Sequence, residues 1–152
     1  MALTINDFGE AVTYGELEFK RKCVEEFRDT LVQVGIASLA AASVAFMVAP
    51  RNGNIVSIGA TLHGALTVGT PTLAFATDMA TPLTFANIAG ATALPLTFSG
   101  SGAGSVFTST LATPFAITQG RAIRVTNTVN SQATASTATV YVVIRSTEIL
   151  LG

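Results

Sequence analysis

The sequence predicts a mainly β protein: an antiparallel β-sandwich, jelly-roll-like and of about eight strands, preceded by an N-terminal amphipathic helix or arm. Charge is concentrated at the start, since 11 of the 17 charged residues lie among the first 29. After Ser38 the chain alternates in short runs rich in Val, Ile and Thr, and proline or glycine clusters separate these runs. We therefore predict an arm or helix over residues 1–37 and a β-sandwich domain over residues 38–152.

Residues 14–34 have the periodicity of an amphipathic helix. Apolar residues recur three, four and seven positions apart, with acidic and basic residues on the opposite face. They are Leu17, Val24, Phe27, Leu31 and Val34. The same positions form a short coiled-coil seam that Lys20 interrupts, so a coiled coil is the alternative to a single helix that docks on a neighbour.

The body of the chain is predicted to consist of strands. The first is Ser43–Val48, and Asn52-Gly53 after it predicts a hairpin turn, because such a turn needs positive φ. Alternation then predicts a strand from Ile55 to His63. Further predicted strands span Thr72–Thr77, Leu83–Ile88, Leu94–Phe98, Ser105–Leu111, Ala122–Asn127 and Ala138–Arg145.

Composition favours a structural or assembly protein over an enzyme. Charged residues make up 11% of the chain, against about 25% in typical globular proteins. A surface with so few charges gives little protection against association, so we predict a homo-oligomer. The net charge is −1, and the single basic run, residues 20–22, is surrounded by glutamates. We therefore predict no nucleic-acid partner.

The uncharged run Thr30–Ala49 has the length of about 20 residues that a membrane-spanning helix needs. Polar and small residues interrupt it, and Phe46-Met47-Val48-Ala49 followed by Pro50 is typical of a strand that enters a turn. We therefore predict no membrane partner, and a membrane-anchored protein is the alternative that this run leaves open.

The sequence predicts no catalytic, cofactor or metal site. His63 is the single histidine and Cys23 the single cysteine, whereas structural zinc needs four ligands. The β body contributes two carboxylates, Asp78 and Glu148, and no pattern brings them together. The glycine-rich run 100–104 lacks the Gly-Lys-Ser/Thr ending of a phosphate loop, and a strand pattern follows it. We predict an exposed or interface position for His63.

Arg121 and Arg124 stand near the start of a predicted strand in an otherwise uncharged region. Strand alternation places them on opposite faces. One of them could pair with Asp78 or with a carboxylate of a neighbouring chain, or both could be solvated charges at a sheet edge. The sequence favours solvated charges.

Contact with a partner is predicted in the N-terminal segment. Apolar residues flanked by charges are typical of a specific interface, where the apolar groups supply affinity and the charges set the register. The predicted partner-binding residues are Leu17, Lys20, Arg21, Val24, Phe27, Arg28 and Leu31. The alternative is that this stripe packs against the protein's own sandwich or trimer axis.

Three segments of the body resemble strands of the small β-sandwich proteins found on tailed-phage heads. They are residues 50–58 (Pro-Arg-Asn-Gly-Asn-Ile-Val-Ser-Ile), residues 118–126 (Thr-Gln-Gly-Arg-Ala-Ile-Arg-Val-Thr) and residues 136–144 (Ser-Thr-Ala-Thr-Val-Tyr-Val-Val-Ile). The likeness covers about residues 43–146. It implies a trimeric jelly-roll decoration (cement) protein that binds the major capsid protein outside the capsid and stabilises contacts between subunits. Such a protein is made in the host cytoplasm and resides on the virion.

A carbohydrate-binding jelly-roll module on a fibre or tail is the alternative function. Sugar sites usually combine exposed aromatic rings with polar groups. The chain has no tryptophan, and its two tyrosines are Tyr14 and Tyr141. The sequence therefore favours the decoration protein.

Overall fold

The computed structural model describes residues 3–5, 11–13, 23–66, 69–78, 84–91, 93–97, 101–128 and 136–151. These residues form strands and their connections, and none of them is in an α-helix. The chain divides into two compact units, residues 1–28 with 147–152 and residues 29–146. In the smaller unit, β1 (Leu3–Ile5) pairs antiparallel with β2 (Ala11–Thr13).

Nine further strands are described. They are β3 (Cys23–Ile36), β4 (Ser43–Val48), β5 (Gly53–Leu62), β6 (Thr72–Asp78), β7 (Phe85–Asn87), β8 (Leu94–Pro95), β9 (Val106–Ile117), β10 (Ala122–Thr128) and β11 (Ala138–Leu151). β3 enters the larger unit at Asp29, and β11 leaves it after Ser146. The prediction of a mainly β protein is confirmed.

The larger unit contains two antiparallel sheets. The first sheet has the order β4–β10–β6–β7, with β8 also paired to β6. The second sheet has the order β3–β11–β5–β9. Buried side chains of both sheets form one hydrophobic core, in which Phe75 of β6, Ile58 of β5 and Val142 of β11 are each at most 1% exposed.

A β-bulge at Val56 decides which side chains of β5 face this core. Ser57 pairs with Val143 on β11, and the next pair is Ile55 with Ile144, so Val56 has no partner in the register. Strict alternation would place Ile55 and Ile58 on opposite faces, because they are three residues apart. The bulge shifts the alternation by one residue, and both isoleucines are buried.

The predicted N-terminal helix is wrong where the structure describes it. Residues 23–36 form strand β3, and residues 14–22 of the predicted helix lie outside the described residues. Near the end of β3, Val32 packs against the core and Ile36 is buried, whereas Leu31 is exposed. Buried and exposed side chains therefore alternate along the end of β3, and pairing with β11 stabilises the strand conformation. The domain division predicted at residue 37 stays a prediction.

The uncharged run Thr30–Ala49 is divided between β3, a bend and β4. Within the described ranges, no helix has the length and apolarity that a membrane span requires. Asn127 fixes the connection between the two strands, because its Nδ2 donates to the backbone oxygens of Ser38 at 3.2 Å and Ala41 at 3.0 Å. The predicted strand Ser43–Val48 is confirmed as β4.

The hairpin predicted at Asn52-Gly53 is wrong. β4 and β5 lie in different sheets, and Gly53 does not have a positive φ. The chain instead crosses between the sheets, and the Asn52 side chain accepts a hydrogen bond from the backbone N–H of Gln119 at 2.8 Å. The positive φ of this region lies at Gly120, with φ of 83°, in the turn between β9 and β10.

Gly53 is needed for a different reason, the close approach of β11. A Cβ at this position would lie 2.5 Å from the backbone oxygen of Arg145 and 2.9 Å from Cγ2 of Ile144. We expect Gly53→Ala to lower the free energy of unfolding by about 1–3 kcal/mol, because backbone must shift to admit the methyl group. Urea unfolding measures the change. Gly102→Ala is the control, since no atom lies within 4 Å of the position that a Cβ would take there, and an equal loss in both variants would contradict the steric explanation.

β9 is longer than the predicted strand Ser105–Leu111 and continues through Pro114 to Ile117. It is an edge strand of the second sheet, where the missing N–H of proline costs no ladder bond. Its register with β5 passes from the pair Ser57–Thr110 to the pair Ile55–Phe115, so residues 111–114 bulge. The predicted strands Leu83–Ile88 and Leu94–Phe98 are shorter in the structure, as β7 and β8.

Candidate interaction surface

The outer face of the first sheet is organised by the strand register. Phe46 on β4 lies opposite Arg124 on β10, and Arg124 lies opposite Ala76 on β6. Residues that pair across strands project from the same face of a sheet. The register therefore brings an aromatic residue, a cation and a small residue together on one side of the sheet.

Strand β4 places apolar side chains on both of its faces. Ala45 and Met47 point into the core and are 9% and 5% exposed. Val44, Phe46 and Val48 point outward and are 53%, 56% and 58% exposed. A strand at the surface of an antiparallel sheet usually carries polar residues on its outer face, so these three residues form an exposed apolar stripe.

Phe85 on β7 extends this stripe across the sheet. Its ring centroid lies 5.9 Å from that of Phe46, with an angle of 53° between the ring planes. This is the tilted arrangement that aromatic pairs prefer. The guanidinium carbon of Arg124 lies 4.6 Å from the centroid of the Phe85 ring, which is cation–π distance. We call Val44, Phe46, Val48, Phe85 and Arg124 the outer-face patch.

Arg124 is partly desolvated within the outer-face patch. Its Nε is buried and has no hydrogen-bond partner in the described part of the chain. An arginine stacked on an aromatic ring can still donate charge-assisted hydrogen bonds to an acceptor that a partner supplies. Aromatic and arginine side chains are also enriched at the centres of protein interfaces.

An open cleft of about 170 Å³ lies at the end of β6. Asp78 accepts a hydrogen bond from the backbone N–H of Ala122 at 3.0 Å, and its second oxygen lies 3.9 Å from Nη1 of Arg121. The cleft is lined by Thr77, Asp78, Phe115, Ala116, Ile117, Thr118 and Arg121. Asp78 is the single carboxylate of this lining, and its oxygens lie against a backbone N–H and an arginine.

The prediction that Arg121 and Arg124 are both solvated edge charges is wrong. Arg121 pairs with Asp78, and Arg124 stacks on Phe85. Arg121 lies in the turn just before β10 begins, so strand alternation does not fix its direction. The pairing that the sequence left as the alternative is the one that the structure contains.

His63 is exposed, as predicted, and follows the end of β5. Its Nδ1 lies 2.9 Å from Oγ1 of Thr137, and its Nε2 lies 2.8 Å from Oγ1 of Thr139. Both ring nitrogens are therefore engaged by hydroxyl groups, one as donor and one as acceptor in a neutral ring. Across the described ranges, no three His, Cys, Asp or Glu side chains converge into a metal-binding group.

The predicted partner-binding residues fall into two groups. Leu17, Lys20 and Arg21 lie outside the described residues. The others lie on β3: Val24, Phe27, Arg28 and Leu31. Arg28 is exposed, and Leu31 is 57% exposed. A surface position for Leu31 is compatible with a contact role, and the contact itself stays a prediction.

An ion pair stands beside Leu31. Nε of Arg145 donates to Oδ1 of Asp29 at 2.7 Å, and Nη2 donates to Oδ2 at 2.8 Å. These hydrogen bonds lower the pKa of the Asp29 carboxyl below its ordinary value and raise the pKa of the Arg145 guanidinium. Both side chains are 47% exposed, so water screens the pair and we assign it a role in positioning β3 more than in stability.

Sequence reasoning missed the outer-face patch, although one signal for it was present. Residues 43–48 read Ser-Val-Ala-Phe-Met-Val, so apolar residues occupy the positions that face either side of a strand. In an antiparallel sheet with one solvated face, such a run predicts apolar side chains on the solvent side. The partners Phe85 and Arg124 come from distant parts of the chain and carry no comparable local signal. A comparison with protein-family models finds no match, and a search of curated proteins also finds none.

Proposed function

We propose that this chain is a virion structural protein, a decoration (cement) protein that binds the exterior of a tailed-phage head and stabilises contacts between capsid subunits. Its partner would be the major capsid protein, and the chain would act as a homotrimer on the virion surface. The outer-face patch is the observation that carries this proposal. Phe46, Phe85 and Arg124 form a compact group of residue types that are enriched at the centres of protein interfaces.

The pairing order of the strands supports a jelly-roll arrangement. β4 pairs with β10, and β5, which follows β4, pairs with β9, which precedes β10. The consecutive strands β4 and β5 thus pair with β10 and β9, in reverse chain order. A long hairpin of paired strands that folds over in this way is the basis of a jelly roll. The resemblance of residues 43–146 to phage-head β-sandwich proteins agrees with this arrangement.

The distribution of charge supports a binding role over a catalytic one. Residues 29–146 contain two acidic residues, Asp29 and Asp78, and each is held by an arginine. The described residues around the cleft and around His63 offer no convergent set of ionisable groups. The outer-face patch is therefore the described feature with the clearest capacity to bind a partner.

Stabilisation of the shell would follow from mass action. A protein that binds across the boundary between two capsid subunits, and binds separated subunits less well, shifts the equilibrium against subunit loss. A trimer that engages several equivalent sites gains further from the high effective concentration of its second and third contacts. Each individual contact can then be modest in area.

Co-sedimentation with shells tests this function. The probe is the empty, expanded shell assembled from the major capsid protein encoded by the same genome, with the unexpanded shell as the comparison. We expect saturable binding to the expanded shell and a raised temperature of shell disruption. A folded protein that fails to sediment with expanded shells at micromolar concentration, and leaves their disruption temperature unchanged, would overturn the proposal.

A further inference from the structure

β4 is an edge strand of the first sheet, and among the described residues no strand pairs with its second side. The N–H of Ala49 donates to the backbone oxygen of Arg121 at 2.9 Å. In an antiparallel ladder, alternate residues direct their backbone groups to the same neighbour. Residues 43, 45 and 47 therefore bond towards β10, and the N–H and C=O groups of Val44, Phe46 and Val48 face away from the sheet.

β4 lacks the features that keep edge strands from pairing with another chain. Such strands are commonly shortened, charged or interrupted by proline or a bulge. The other described edges of the larger unit have such features. β9 has Pro114 and a bulge, and β7 and β8 are only three and two residues long. β3 begins in this unit with the charged residue Asp29. β4 has six uncharged residues, no proline, and an unbroken register with β10.

We infer that β4 pairs with the β4 strand of a second copy of this chain, antiparallel and centred on Phe46. In this register Val44 lies opposite Val48 of the second copy, and Phe46 lies opposite its own equivalent. The outward backbone groups of these residues then form three hydrogen-bonded pairs. All facing side chains on the outer face are apolar, so the strand is complementary to itself. Pro50 has no N–H and ends the ladder.

The charges of the chain are compatible with this contact. No ionisable side chain lies on β4, so two copies meet without a buried unpaired charge. The nearest patch cation is Arg124, one strand away in each copy. The two arginines are then about three strand spacings, or roughly 14 Å, apart. That separation exceeds the Debye length of about 8 Å at physiological salt, so their repulsion is largely screened.

The size of the contact predicts its strength. Six residues from each copy bury less than the roughly 1,200 Å² in total that marks a standard stable interface. The pair is therefore a weak and reversible dimer that forms as concentration rises. Where the chain also forms the trimer predicted above, each β4 contact joins two trimers through a two-fold axis.

A charge-exchange experiment tests both the partner and the register. The variant Val44→Lys/Val48→Lys places lysine opposite lysine at two pairs, and Val44→Glu/Val48→Glu places glutamate opposite glutamate. The variant Val44→Lys/Val48→Glu places lysine opposite glutamate at both pairs and serves as the matched control. Both substituted side chains are more than half exposed, so each variant should keep the fold. Sedimentation velocity over a micromolar to millimolar series measures the association constant, and circular dichroism checks the fold.

We expect each like-charged variant to reduce the association constant at least about tenfold, because opposed like charges destabilise strand pairs. An equimolar mixture of these two variants should associate again, and the Lys/Glu variant should associate within about threefold of the wild type. Wild-type protein that stays unpaired through the millimolar range, or pairing that the double lysine variant leaves unchanged, would overturn the inference. A Lys/Glu variant as weak as the double lysine variant would overturn the register. None of these outcomes depends on shell binding.

Discussion

A Phe75→Ala variant is expected to lose about 3–5 kcal/mol in the free energy of unfolding, which would be the largest effect of a single truncation in the larger unit. Phe75 is fully buried and is among the largest fully buried side chains. Its backbone is held by the segment after β7, since its N–H donates to the backbone oxygen of Ala91 and its oxygen accepts from the N–H of Ile88, each at 3.0 Å, while β10 pairs with β6 on the other side. The surrounding strands therefore cannot collapse to fill the cavity that alanine leaves.

Urea unfolding followed by circular dichroism measures this loss. Val106→Ala is the control, because Val106 is 59% exposed and should change stability by no more than about 0.5 kcal/mol. A Phe75→Ala variant as stable as the control would mean that β6 does not pack in the core shared by the two sheets.

The second large effect is expected on shell binding. Phe85→Ala should weaken co-sedimentation with expanded shells at least about thirtyfold, because truncating an interface hot spot costs about 2 kcal/mol or more. The Phe85 ring contacts both Phe46 and Arg124. Its removal takes away an aromatic contact and the surface that holds the Arg124 guanidinium in place.

Two control variants locate the docking surface. Val106→Ala removes an apolar side chain that is 59% exposed on the second sheet and should leave binding unchanged. Leu31→Ala tests the N-terminal segment predicted from sequence. Weaker binding by Leu31→Ala with unchanged binding by Phe85→Ala would assign docking to that segment and contradict a role for the outer-face patch.

Alternation of inward- and outward-facing residues predicted β10 and the first part of β11, although β11 extends past its predicted end at Arg145 to Leu151. In β11, Val140, Val142 and Ile144 are buried and alternate with partly or fully exposed residues. The alternating residues of β10 likewise predicted its bounds to within one residue. In these strands the local pattern and the burial imposed by the sheet agree, so periodicity alone is sufficient.

The predictions from sequence were wrong where contacts between distant parts of the chain determine the local structure. Residues 23–34 suit a helix by their apolar spacing, but pairing in the second sheet makes them a strand. Asn52-Gly53 is typical of a hairpin turn, but the chain crosses here to the other sheet, where Gly53 lies close to Arg145 and Ile144. The outer-face patch also depends on the register of β4, β10, β6 and β7, which the apolar run 43–48 does not indicate.

The copy number of this chain in purified phage particles tests the central proposal most directly. Quantitative mass spectrometry of particles encoded by the same genome gives the ratio of this chain to the major capsid protein. A decoration protein that clamps neighbouring capsid subunits must be present at a copy number comparable to that of the shell protein, and this is the result we predict. Absence from the particle, or only a handful of copies per particle, would contradict the proposed function.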